Sequence, residues 1–304
     1  MAAIKAKLIG PALLRRWPLP WPDAGGTKEG RGRVLVVGGS AEMPGALILA
    51  AEAAFRAGAG KVQLATCRGV ALHIATAVPA SRVFALAETK RGGLVPTALA
   101  EIEEYVAEAE ALLVGPGMTG EPRPLNQLLK KLCAQARHHQ TVVFDATALY
   151  RLCELKREVK SLGGRAILTP HAEEMSKLMG LSEEEIARSP QQHARESAAE
   201  FGAVVALKGR ETYVASPDGE LYVNRAGNVG LATSGSGDVL AGLVAGLAAR
   251  GATALQAAVW GVHLHALAGD RLAQTVGSLG YFARELPPLV PGLLDELTKG
   301  RRRR

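Results

Sequence analysis

Val34-Leu35-Val36-Val37-Gly38-Gly39-Ser40 is the stretch that decides the fold. A β-branched apolar run predicts a strand, and Gly-Gly-Ser closes it with a polar turn. An alanine-rich helical pattern follows from Ala46 to Ala57, stopped by Gly58 and Gly60, and Lys61 to Thr66 reads as the next strand. The alternation continues along the chain. Ala111 to Val114 ends in Gly115-Pro116-Gly117, Thr141 to Phe144 in Asp145, Arg165 to Leu168 in Thr169-Pro170-His171, and Val204 to Leu207 in Lys208-Gly209. Helical patterns such as Leu125 to Arg137 and Ser182 to Phe201 lie between them. This predicts an α/β fold, a doubly wound, mostly parallel sheet with helices on both faces. Near Thr212 the pattern changes: Glu211 to Ala215 and Glu220 to Asn224 flank Pro217-Asp218-Gly219 and predict a small β-hairpin. Long helices, Val239 to Arg250 and Leu255 to Gln274, close the chain.

No repeat or linker divides the 304 residues. One catalytic domain is expected over residues 33–295, with an irregular lead over 1–32 and a basic tail over 296–304. The lead carries Trp17-Pro18-Leu19-Pro20-Trp21-Pro22 and is expected to pack on the surface or on a neighbouring subunit. Hydrophobic residues make up 48% of the chain but aromatics only 4%, so alanine and glycine fill much of a sizeable core. Arg301 to Arg304 supply four of the +7 formal charges and read as a solvated terminus. No aromatic-studded basic stripe accompanies them, which argues against nucleic acid as a partner. Cys67, Cys133 and Cys153 show neither metal-ligand nor disulfide spacing, and no signal peptide or apolar run of membrane-spanning length is visible. A cytoplasmic protein without a membrane partner is expected.

In open parallel sheets, ligands bind beyond the carboxyl ends of the strands. Here those ends carry Gly-Gly-Ser, Gly-Pro-Gly, Asp, Thr-Pro-His and Lys-Gly, and five such ends on one edge predict a ligand cleft. The strongest element is Thr233-Ser234-Gly235-Ser236-Gly237-Asp238, which runs straight into an apolar helix. Gly235 and Gly237 let the backbone around Ser236 turn its N–H groups inward, and the helix start adds positive dipole, so a phosphate is stabilised there. Gly242 and Gly246 lie one turn apart and are expected to let that helix approach the sheet. Asp238 is either an N-cap or a base for a hydroxyl that attacks phosphate. Lys208 is either a solvated strand-end lysine or part of a nucleotide site. His171 caps, packs or contacts a substrate, and Glu173 and Glu174 complement a helix dipole or reach a metal–phosphate network. His263 and His265, two apart on a helix, point to different faces and make no metal pair. Gly115 to Gly120 match a dinucleotide fingerprint, but Pro116, Pro122 and Pro124 oppose a helix starting in that loop. Gly230 and Gly235 have P-loop spacing, but Ser236 stands where the phosphate-gripping lysine belongs.

Taken in order, Gly38-Gly39-Ser40, Gly115-Pro116-Gly117, Thr169-Pro170-His171 with Glu174, Lys208-Gly209 with Thr212, and Gly235-Ser236-Gly237-Asp238 resemble the ADP/ATP-dependent NAD(P)H-hydrate dehydratases. Gly45-Ala46 and His265 with Ala268-Gly269-Asp270 point to the same branch of the ribokinase-like, carbohydrate-kinase-like domains. The resemblance spans about residues 10 to 285. It implies a lyase that repairs hydrated NADH or NADPH: ADP or ATP phosphorylates the ring hydroxyl, and phosphate then leaves. On that resemblance Asp238 is the base and Gly235, Ser236 and Gly237 hold the transferring phosphoryl group. Lys208, Gly209, Arg210, Glu211 and Thr212 border the adenine nucleotide, and Ala46, Gly117 and His171 line the hydrated cofactor. It further implies Mg²⁺ bridging the phosphates, a homotetramer, and coupling to a separate NAD(P)H-hydrate epimerase.

The chain departs from the family pattern at three places. Thr147 replaces the second carboxylate of Asp-Ala-Asp, Thr233-Ser234 replace Lys-Gly before the anion loop, and Glu173 replaces the glycine of Thr-Pro-His-x-Gly-Glu. Two rival readings use the same residues: a small-molecule kinase acting with ATP on a vitamin precursor or sugar, and a catalytically degenerate nucleotide-binding module.

Overall fold

The computed structural model describes residues 6–22 and 25–298. Within them ten strands form one sheet: β1 (Lys7–Leu8), β2 (Arg33–Val37), β3 (Lys61–Cys67), β4 (Arg82–Leu86), β5 (Ala111–Val114), β6 (Thr141–Phe144), β7 (Ala166–Leu168), β8 (Val204–Leu207), β9 (Thr212–Ala215) and β10 (Leu221–Asn224). Their order is β1-β10-β9-β8-β7-β6-β5-β2-β3-β4, and only β9 runs antiparallel to its neighbours. The predicted hairpin is therefore β9–β10, with Asn224 opposite Thr212. Strands β5, β6 and β8 are buried along their whole length, because helices cover both faces. That is why they read as continuous apolar runs rather than as alternation.

Chain order reverses between β5 and β2: β3 and β4 extend the sheet one way from β2, and β5 to β8 the other. The loops after β2 and β5 therefore meet at a topological switch point, where α/β sheets open a crevice. They are clasped tightly. The Gly39 amide donates to the Pro116 carbonyl at 2.7 Å, and a Cβ on Gly38 would lie 2.3 Å from that same oxygen.

Helix Ser236–Ala249 is buried over most of its length. Gly242 and Gly246 face the alanine-rich helix Pro44–Arg56 rather than the sheet: a Cβ on Gly242 would lie 2.2 Å from the Ala50 carbonyl, and one on Gly246 2.6 Å from that of Ala54. Small residues on both sides bring the two backbones into contact and fix where the helix begins.

The irregular lead expected over residues 1–32 is partly regular. β1 pairs in parallel with β10, and helix Pro11–Arg16 packs on the last helix, Val290–Thr298. Burial of Ile9, Leu14 and Leu19 drives this docking. The Trp17 ring stacks on Tyr222 at 5.8 Å, and its carbonyl accepts from Trp260 Nε1 at 2.9 Å. The lead thus packs on its own chain. The last helix runs three residues past the expected boundary at 295, to Thr298, and Arg301 to Arg304 lie outside the described residues.

Two helical expectations shift at prolines. Ser182 to Phe201 forms two helices, Glu183–Arg188 and Pro190–Phe201, because Pro190 has no N–H to continue the first and is well placed to start the second. Pro122 likewise opens helix Pro122–Gln135, past Gly120 rather than inside the glycine loop.

Candidate active site

Every strand end singled out in the sequence lies on one edge of the sheet, as parallel pairing requires. Asp145 follows β6 and is 2% exposed. Its Oδ1 accepts from Thr169 Oγ1 at 2.6 Å and from Lys208 Nζ at 3.2 Å. Lys208 follows β8, and the Lys208 amide donates to the Pro170 carbonyl at 2.8 Å, so the ends of β7 and β8 are joined. The same ammonium lies 3.5 Å from Glu174 Oε2. Glu174 is fixed by a reciprocal cap: its Oε2 accepts from the His171 amide at 2.8 Å, and its own amide approaches His171 Nδ1 at 3.4 Å. Three strand ends thus converge on one half-buried ammonium.

The anion loop lies directly over this cluster. Gly235 has φ +87°, left-handed backbone that favours glycine, and caps the helix that starts at Ser236. A Cβ on Gly237 would lie 3.4 Å from Lys208 Nζ and 3.9 Å from Asp145 Oδ2. Asp238 is the third helical residue, so it is a first-turn acid and not the cap. The first-turn amides have no intrahelical acceptor. Ser236 Oγ contacts His265 Nε2 at 3.0 Å, which ties the loop to helix Ala254–Thr275. His263 instead contacts Asn224 at 2.8 Å through Nδ1, so the two histidines serve separate contacts.

The electrostatics follow from burial. Desolvation, reinforced by Asp145, pushes the Asp238 carboxyl up to about 7. Glu174 rises to about 7 for the same reasons, against the opposing pull of Lys208. Burial alone would lower Lys208, but the charges of Asp145 and Glu174 outweigh it and hold the ammonium above its ordinary value. Burial and the nearby Lys208 lower His171. His265 falls to about 4, again mainly by burial, and is neutral near pH 7. A permanent cation thus sits beneath a helix start whose first amides have no intrahelical acceptor, with a carboxylate beside it whose pKa is raised to about 7. That arrangement suits proton removal from a hydroxyl beside a phosphoryl group.

On the other side of the clasp, Gly39, Ala46 and Gly117 form one surface. Gly117 has φ +63°, and a Cβ there would lie 3.0 Å from Ala46 Cβ and 3.4 Å from Gly39 Cα. His171 caps the start of helix Ala172–Met179. The run from Lys208 to Thr212 divides. Lys208, Gly209, Arg210 and Glu211 line a cleft of about 460 Å³ opposite Ile186 and Pro190, and of these the Lys208 side chain also joins the acidic cluster. Glu211 is held by Tyr213 Oη at 2.6 Å and Arg225 Nε at 2.8 Å, and Thr212 opens β9.

Sequence reasoning gave Asp145 no role of its own and left Glu174 between two. A polar residue ending each of β6, β7 and β8 was the available signal. Among the described residues, no group of three or more His, Cys, Asp or Glu side chains is arranged to hold a metal ion unaided. No helix among them is long and apolar enough to cross a membrane.

Comparison with known proteins agrees with this geometry. Residues 34–290 match the family model for NAD(P)H-hydrate dehydratase. The chain is 46% identical to the ADP-dependent (S)-NAD(P)H-hydrate dehydratase of Xanthomonas campestris pv. campestris, over 99% of this chain and 100% of that protein. It is 40% identical to the bifunctional NAD(P)H-hydrate repair enzyme of Moorella thermoacetica, covering 93% of this chain but 53% of the longer protein. The crystal structure of the Bacillus subtilis ADP/ATP-dependent NAD(P)H-hydrate dehydratase, co-crystallised with ATP/Mg²⁺, superposes with a TM-score of 0.78 at 25% identity. That match covers 97% of this chain and 100% of the other. With the match spanning the sheet, the anion loop and every strand end described above, this chain belongs to the NAD(P)H-hydrate dehydratase family.

Proposed function

We propose that this enzyme restores hydrated NADH and NADPH by phosphorylating the ring hydroxyl from ADP or ATP and eliminating phosphate. The observation that carries the reading is the stacking of Gly237 over the Lys208–Asp145 pair, with Asp238 beside it. The hydroxyl oxygen attacks the terminal phosphoryl group while Asp238 takes its proton, and the bridging P–O bond breaks to release AMP from ADP or ADP from ATP. Lys208 and the first-turn amides around Gly237 carry the charge of the transferring group. The ring nitrogen's lone pair then expels phosphate as the C–O bond breaks, and loss of a proton from the adjacent ring carbon forms the C=C bond and returns the reduced nicotinamide. Phosphorylation converts a poor leaving group into a good one, which explains why a kinase-like site serves a dehydration.

The clasped surface of Gly39, Ala46 and Gly117 supports placing the hydrated cofactor there, with His171 at its border. The cleft beside Gly209, Arg210 and Glu211 suits an adenine nucleotide, with Thr212 next in the chain. Asp145 fits a Mg²⁺ role, because Oδ1 takes both the Thr169 and Lys208 bonds and leaves Oδ2 toward Gly237. Mg²⁺ commonly binds through one or two carboxylates plus phosphate oxygens. When bound it neutralises phosphate charge. We place the protein in the cytoplasm as a homotetramer of single-domain chains over residues 33–295. Its substrate would come partly from a separate epimerase that interconverts the hydrate epimers.

The test is to incubate purified protein with hydrated NADH, Mg²⁺ and either ADP or ATP, following the near-ultraviolet absorbance of reduced nicotinamide. Recovery with stoichiometric phosphate release is expected. A stable phosphorylated product would indicate a small-molecule kinase instead, and no reaction from folded protein would indicate a binding module.

A further inference from the structure

Ala146 has φ +49° and is the one non-glycine residue with positive φ among the described residues. A left-handed alanine costs about 1 kcal/mol or more and persists only where its surroundings over-determine it. Its neighbours show what does so. On one side, the Asp145 amide donates to the Val114 carbonyl at 3.1 Å. On the other, Thr147 Oγ1 donates to the Met118 carbonyl at 2.7 Å. Both bonds reach β5 and its loop, and packing there is close: a Cβ on Gly115 would lie 1.8 Å from the Asp145 carbonyl. Met118 is 2% exposed, so its carbonyl has little access to water as a substitute partner.

We infer that Thr147 is a positioning residue, whose hydroxyl locks the strained turn bearing Asp145 onto the Gly115–Met118 loop. The turn aims Asp145 at Lys208 and Gly237, and the loop presents Gly117 to Ala46. One hydrogen bond therefore sets the spacing between the phosphoryl side of the site and the clasped surface. A carboxylate at position 147 has no proton to donate at neutral pH and would face the Met118 carbonyl with like polarity. The threonine is thus a working part of this chain's own loop rather than the remnant of a lost ligand. Assigning the hydrated cofactor to the Gly117 side rests on the dehydratase reading above.

The experiment compares wild type with Thr147→Ser, Thr147→Val and Thr147→Asp, varying hydrated NADH and nucleotide separately in the absorbance assay. Thr147→Ser should stay within about twofold of wild type. Thr147→Val should raise KM for the hydrate about five- to tenfold, the scale of one lost hydrogen bond, with nucleotide KM unchanged. Thr147→Asp should lose at least as much. An unchanged hydrate KM in Thr147→Val, or faster turnover in Thr147→Asp, overturns the inference. Wild-type turnover in the same assay tests the dehydratase reading separately. If wild type does not turn over, deuterium exchange decides. Faster exchange confined to peptides covering residues 111–120 and 141–150 in Thr147→Val supports the lock, and unchanged exchange there overturns it. Should Thr147→Val not fold, the Thr147→Ser and Thr147→Asp pair decides by the same criteria.

Discussion

Lys208 Nζ lies 3.2 Å from Asp145 Oδ1, although 63 residues separate them, and the half-buried ammonium and buried carboxylate lie beneath the anion loop. Removing one partner of such a pair leaves uncompensated charge, the costliest kind of polar loss. Lys208→Met should therefore lower thermal stability and reduce kcat/KM at least a hundredfold. Part of the stability loss is relieved as Glu174 protonates, so the deficit should be larger at pH 8 than at pH 6. Melting curves at both pH values check this, and a pH-independent deficit would remove Glu174 from the cluster.

Asp238 is pushed up to about 7 by burial and by Asp145, so as a base it is only partly ionised at neutral pH. Wild-type kcat/KM should fall tenfold per pH unit below about 7. Asp238→Asn should lose about 10²- to 10⁴-fold in turnover, the usual range for a general base. Nucleotide affinity measured by calorimetry should change little. A full-rate Asp238→Asn enzyme would exclude the carboxylate as the base.

The same shifts have a consequence for folding. Asp238 and Glu174 bind protons more tightly when folded than when unfolded, so both contributions are fully present below pH about 4. They are lost as pH rises through about 7. The ligand-free protein should therefore lose stability between about pH 4 and pH 7 relative to Asp238→Asn, whose curve should be flatter over that window. Denaturant midpoints at several pH values measure the difference. Parallel curves for the two proteins would show that Asp238 titrates normally.

Gly242 meets the Ala50 carbonyl so closely that a methyl group would sit 2.2 Å away, with backbone on both sides unable to yield cheaply. Gly242→Ala should cost about 1–3 kcal/mol despite the helix-favouring residue it introduces. Because the displaced helix carries Asp238 at its start, turnover should fall with it. Equilibrium unfolding and the absorbance assay test the two effects together.

Much of the fold was legible because the strands are short and fully covered: Val34 to Val37 and Ala111 to Val114 can hardly be anything but buried parallel strands. Arg82–Leu86 was not legible. It is an edge strand of mixed exposure, with Arg82 over the Phe84 and Tyr105 rings at 4.9 and 4.5 Å, and its short apolar run, Val83 to Ala87, ends in none of the polar strand-end signals that marked the others. The docked lead was equally hidden, since β1 is two residues long and owes its place to Ile9 and Leu14 rather than to local pattern. In the site, Gly235 to Asp238 declared itself through local spacing. Asp145 and Glu174 did not, because their meaning depends on a lysine that only the β6–β7–β8 order brings between them. Thr147 looked like a loss because its acceptor, the Met118 carbonyl, belongs to another loop.

The contact between helix Pro11–Arg16 and helix Val290–Thr298 brings the first and last helices of the described chain together. Between these two helices the described chain nearly closes on itself. Joining helix Val290–Thr298 to the segment before helix Pro11–Arg16 by a tether, and reopening the chain at a surface turn such as Pro217-Asp218-Gly219, should leave the cluster of strand ends intact, making this a scaffold suited to circular permutation.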